Sequence, residues 1–91
     1  MKRVVRTGTY KEDLDAIEAY ISQESPKAGA DMWLHIDDQV AKLGDPNFPR
    51  RIGRVKDTFE LVAHPNYIVI LEENATTVTA LNVVHAKKKY P

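Results

Sequence analysis

Apolar residues recur in two rhythms along this chain, and the change of rhythm divides it near residue 58. Tyr10, Leu14, Ile17 and Ile21 fall three or four apart, opposite Glu12, Asp15 and Glu18. That spacing lines one stripe of an α-helix and predicts a helix from Tyr10 to Gln23. Thr9, three residues before Glu12, fits a capping box at its start. Ser25-Pro26 then reads as a second start, with serine at the N-cap and proline in the first turn. Gly29, Trp33, Ile36, Val40 and Leu43 form a narrow seam suited to an antiparallel neighbour. Gly44 is placed to end that helix in a left-handed conformation, with Pro46 just beyond. So short a connection predicts a helical hairpin.

The second rhythm is that of strands. Val4 and Val5 centre a short strand within Lys2 to Arg6. Asp45 to Arg51, with two prolines and Asn47, reads as a loop. Phe59, Leu61 and Ala63 then alternate with Thr58, Glu60 and Val62, as in a strand buried mainly on one side. His64-Pro65-Asn66 is a tight turn. Tyr67 to Leu71 is apolar on both parities, the mark of a central strand. A turn at Glu72 to Ala75 leads into a last strand from Thr77 to His85, with Val78, Ala80 and Val84 on one face and Leu81 and Val83 on the other. The order is β-α-α-β-β-β: an α+β fold, with an α-helical hairpin packed on one face of an antiparallel sheet. Two helices cover one sheet face and nothing further is left for the second, which predicts an exposed apolar surface and a partner or second copy.

Composition narrows the class. Ninety-one residues make one domain, 1–91, whose core is thin, since a chain this size buries only about 60–65% of its unfolded surface. There is no cysteine, hence no disulfide and no thiolate zinc site, as suits a reducing, cytoplasmic setting. No signal peptide or membrane span is expected. Net charge is zero but unevenly spread. Residues 1–45 hold nine acidic against six basic side chains, and residues 46–91 hold seven basic against four acidic. An electropositive C-terminal half suits an acidic or anionic partner. His35, His64 and His85 lack metal-ligand spacing, so neither metal nor cofactor is expected. There is also no Gly-rich phosphate loop and no nucleophile paired with a base.

Taken in order, several segments resemble one family. They are Asp13-Leu-Asp-Ala-Ile-Glu-Ala-Tyr-Ile21, Gly53-Arg54-Val55, Thr58-Phe-Glu-Leu-Val62, Asn66-Tyr-Ile-Val-Ile70, Leu81-Asn-Val-Val-His85 and the terminal Tyr90-Pro91. The chain is similar over nearly its whole length to the ParE/RelE superfamily of type II toxin–antitoxin toxins, the plasmid stabilisation proteins. The resemblance implies a bacterial growth inhibitor neutralised by a cognate antitoxin, whose disordered tail wraps the toxin and often pairs with its sheet. The antitoxin contacts expected here are Leu14, Ile17, Ile21, Trp33, Ile68 and Ile70. No direct sequence-specific DNA binding is expected of the toxin itself.

The superfamily divides by target. RelE-like members cleave mRNA on the ribosome, and ParE-like members poison DNA gyrase. Metal-free RNA cleavage needs groups to deprotonate the 2′-OH, to stabilise phosphorane charge and to protonate the leaving oxygen. By resemblance a nuclease would draw on Arg54, Glu60, His85, Lys87 and Tyr90. Yet Glu60, Val62 and Ile68 stand where basic residues would be expected on the middle strands. The depleted set favours the ParE-like branch, a gyrase inhibitor acting by protein binding through Lys87, Lys88, Lys89, Tyr90 and Arg54. The alternatives are a ribosome-dependent endoribonuclease and an antitoxin-binding remnant without toxicity. One departure from the ParE-like pattern is Asp57-Thr58-Phe59-Glu60 in place of Gly-Thr-Arg-Glu, which deprives the glutamate of an arginine neighbour.

Overall fold

A computed structural model describes residues 1–87. The elements are β1 (Arg3–Arg6), α1 (Gly8–Ser22), α2 (Pro26–Ala41), a 3-10 turn (Lys42–Gly44), β2 (Arg51–Ile52), β3 (Phe59–His64), β4 (Tyr67–Glu73) and β5 (Thr77–His85). The strands lie side by side in the order β1-β5-β4-β3-β2. Hairpin and meander are as the periodicity predicts, but the sheet as a whole is mixed. β1 joins β5 in parallel, while β2–β3, β3–β4 and β4–β5 are antiparallel. The helical hairpin supplies the crossover that a parallel neighbour requires. β2 lies in what the sequence reads as the end of the loop.

Both helix starts are fixed by side chains, though one is not the residue expected. Ser25 caps α2 by accepting from Ala28 N at 3.1 Å. For α1 the cap is Thr7, which accepts from Tyr10 N at 3.0 Å and donates to Leu81 O at 2.6 Å. The hydroxyl thus ties the helix start to β5, a contact that the local Thr9–Glu12 pattern does not contain. Gly44 is also corrected. It lies in the 3-10 turn without positive φ, and its role is close approach. A Cβ there would stand 2.8 Å from Lys2 O.

Tyr10, Leu14, Ile36, Val40 and Leu43 from the helical layer meet Leu61, Val69, Leu71, Val78 and Ala80 from the sheet, all buried. The helices approach closely at Gly29, where a Cβ would stand 2.1 Å from Ser22 Oγ and 2.8 Å from Glu18 O. One obstacle is backbone, so Gly29→Ala must push the helices apart. A loss of about 1–3 kcal/mol is expected from this overpacking, read as a lower urea midpoint with unchanged slope.

The last strand departs from simple alternation. Ile70 pairs with Asn82 but Leu71 with Ala80, so Leu81 is the extra residue of a β-bulge. Beyond it the parity reverses, and Val83, not Val84, is buried in the helix-side core. Asp13 on α1 accepts from Val83 N at 3.0 Å, giving that backbone donor a partner.

The second face is not bare at its centre. Ile68 and Ile70 point away from the main core, yet are only 3% and 5% exposed. Their cross-strand neighbours there are Val62 and Val84 for Ile68, and Glu60 and Asn82 for Ile70. On this face Val62 is the large apolar side chain left open.

Candidate functional site

The second face carries one buried charge. Glu60 on β3 is 1% exposed. Arg51, its cross-strand partner on β2, donates Nε and Nη2 to Glu60 Oε1, each at 2.9 Å. Arg54 donates its backbone N–H to Oε2 at 3.1 Å and holds its own Nε 4.0 Å from the same oxygen. The carboxylate therefore gathers both ends of the segment joining β2 to β3. Gly53 N donates to Thr58 O, and Thr58 Oγ1 to Val55 O, inside that segment. Asp57 takes φ 65°, a left-handed conformation that a short polar side chain tolerates. Both guanidinium groups remain about half exposed, so the cluster presents positive charge outward over a buried negative one.

Glu60 lacks an arginine beside it in sequence, and Arg51 and Arg54 serve it from further upstream. Arg51 reaches Glu60 across a ladder rather than along the chain. The signal was present as Arg50-Arg51 upstream of Glu60, but only pairing selects which arginine. Arg50 instead turns to the other face of the sheet, donating to the Leu43, Asp45 and Phe48 carbonyls and to Glu73.

His85 lies elsewhere. It pairs with Tyr67, and their rings meet edge to face at 5.5 Å. Tyr67 next meets the ring of His64 at 5.9 Å, and His64 meets His35 of α2 at 6.1 Å. Three histidines far apart in sequence thus line up at one end of the sheet. His64 Nδ1 accepts from Asn66 N, and His85 Nδ1 accepts from Lys87 N. His35 and Gln39 both reach Ala63 O, at the register shift in β3, and so tie α2 to that strand. Among the described residues no group of three or more His, Asp or Glu is arranged to hold a metal ion.

Tyr67 faces the helix-side core while Ile70, three residues on, faces away, so His85 and Glu60 lie on opposite faces. In the plane of the sheet they are two strands and three residues apart, roughly 14 Å. Of the described residues named for a nuclease, Arg54 and Glu60 therefore share one face, and His85 belongs to the other. Lys87 is exposed just beyond His85. Lys88, Lys89, Tyr90 and Pro91 lie outside the described residues.

The expected antitoxin contacts also separate. Leu14 is fully enclosed, and Ile68 and Ile70 are buried, so none of the three offers much surface in this conformation. Ile17, Ile21 and Trp33 are half-buried. Trp33 donates Nε1 to Asp15 Oδ1 at 3.0 Å and so joins α2 to α1. Sequence reading missed Asp37, which receives Tyr10 OH at 2.9 Å and Arg6 Nε at 2.8 Å between the helices and β1. Burial first, and the hydrogen bond to Asp37 second, push the Tyr10 hydroxyl well above its ordinary value.

A helical hairpin on a five-stranded mixed sheet of this order is the fold of the ParE and YafQ toxins. A structure described as the chromosomal ParDE TA system from P. aeruginosa superposes with a TM-score of 0.83 at 19% identity, covering 96% of this chain and 98% of the other. The E. coli DinJ-YafQ toxin–antitoxin complex matches with a TM-score of 0.60 at 12% identity, covering 92% and 91%. Residues 4–90 match the family model described as the ParE toxin of type II toxin-antitoxin system, parDE, and the chain belongs to that family. It is 33% identical over 90 residues to the Sinorhizobium fredii protein "Putative toxin Y4kP", covering 99% of this chain and 94% of the other.

Proposed function

We propose that this type II toxin acts by binding a protein target, DNA gyrase, and that a cognate antitoxin holds it inactive. The observation that supports binding over RNA cleavage is the division of the candidate acid–base groups between two sheet faces. A proton relay needs its groups within hydrogen-bond reach of one reacting phosphate. Glu60 is committed to Arg51 and to the Arg54 backbone, while His85 sits on the helix side against Tyr67. The middle strands add no cation to the second face. Exposed positive charge is offered to a target by Arg51, Arg54, Lys56 and Lys87, and continues in sequence at Lys88 and Lys89, ahead of Tyr90. An antitoxin partner is supported by family membership and by the partnered complex of the YafQ relative.

Induced expression in a susceptible bacterium tests the reading. Filamentation with DNA-damage induction is the expected result, weakened when Lys87, Lys88 and Lys89 are changed together to alanine and retained in His85→Ala. Rapid translation arrest with cut mRNA, abolished by His85→Ala in a folded protein, would overturn it.

A further inference from the structure

At the end of the sheet away from the histidines lies an open depression of about 550 Å³, bounded by Phe48, Phe59, Pro46 and Pro49 with Lys2 and Glu73. Its size is that of a site for a small group of side chains. The floor is built rigidly. The Arg50 side chain is 8% exposed and donates to three carbonyls of the 43–48 segment as well as to Glu73. Lys2 Nζ reaches the same Glu73 oxygen at 2.7 Å. Two cations thus share one carboxylate. Lys42 stands 5.9 Å from the Phe48 ring, so Lys2, Lys42 and Arg50 outnumber Asp45 and Glu73 locally. Ile52 extends the apolar wall: it pairs opposite Phe59, shares its face, and is 84% exposed. Aromatic and proline walls with a surplus of positive charge fit an apolar side chain beside a carboxylate, and repel a basic segment.

We propose that this depression is a docking site for an extended acidic–apolar segment of a partner protein. Its apolar side chain sits between Phe48 and Phe59, with Ile52 as the rim, and its carboxylate meets Lys2. The site faces away from the Glu60 cluster, and it does not depend on which target the toxin has. The probe is the acetylated peptide Ac-Leu-Asp-Phe-Glu-NH2, titrated into the isotope-labelled full chain and compared with its neutral counterpart Ac-Leu-Asn-Phe-Gln-NH2. Saturable shifts are expected at the Lys2, Phe48, Phe59 and Ala75 amides, with the neutral peptide about tenfold weaker, equivalent to about 1.4 kcal/mol. Ile52→Ser, an exposed position that leaves the fold intact, and Lys2→Gln should each weaken the acidic peptide several-fold. The proposal is overturned if those four amides do not shift saturably, if shifts map elsewhere, or if both peptides bind equally well.

Discussion

Asp37→Ala is expected to lower the melting temperature by roughly 10–20 °C, the equivalent of about 2–3 kcal/mol in a domain of this size. The residue looks like one more acid on an acidic helix, but it holds two elements to α2. Tyr10 is fully buried, and its hydroxyl has Asp37 Oδ1 as acceptor. Arg6 of β1 donates Nε to the same oxygen at 2.8 Å and Nη2 to Oδ2 at 3.4 Å. Removing the carboxylate strands a buried hydroxyl and loosens β1 together. Asp37→Asn, which keeps an acceptor oxygen, should lose about half as much. A pH arm gives the cause independently. Unfolded Tyr10 ionises at about pH 10, whereas burial and Asp37 hold the folded hydroxyl protonated well beyond that. Its contribution is fully present below about pH 10 and is lost as the pH rises further, because there the folded state binds more protons than the unfolded. Urea midpoints taken between about pH 8 and about pH 11 should fall less steeply in Tyr10→Phe than in the native chain. Equal slopes would mean that Tyr10 does not carry the effect.

Arg51→Ala should destabilise by about 2–3 kcal/mol, since it takes the paired guanidinium from a carboxylate with almost no access to water. The converse change is milder. Glu60→Met fills the same volume without charge, and Arg51 and Arg54, about half exposed, return to solvent. A loss within about 1 kcal/mol is expected, and combining it with Arg51→Ala should recover most of the stability lost by Arg51→Ala alone. Denaturant titration of the three variants checks this order. A folded Glu60→Met protein also separates stability from activity. Loss of toxicity in that variant would assign the cluster to target contact, whereas retained toxicity would leave it the task of closing the segment from Arg51 to Glu60.

The two variants show where sequence reading reaches its limit. Only one of the two strands that carry the pair was within reach: β3 by alternation, whereas β2 was read as the end of a loop. Which arginine faces Glu60 depends on register, and a two-residue strand such as β2 has too little pattern to announce it. Asp37 fails for a similar reason, because its partners are 27 and 31 residues away. Both come from elements whose relative placement local spacing does not encode.

Local chemistry by itself determined the helix seam with its Ser25-Pro26 start, the central strand at Tyr67 to Leu71, and the bounds of β5. These follow from side-chain period and from capping groups near in sequence. Tertiary structure alone decided three other matters. It set β1 parallel to β5, because the hairpin carries the chain back over the sheet. It moved the cap of α1 from Thr9 to Thr7, because Thr7 also binds Leu81 O. It placed Val83 rather than Val84 in the core, because one bulged residue reverses the faces of everything after it. That reversal puts His85 on the helix side, opposite Glu60, and a linear motif cannot contain it. Sequence carries which residues are present, whereas register decides which of them can meet.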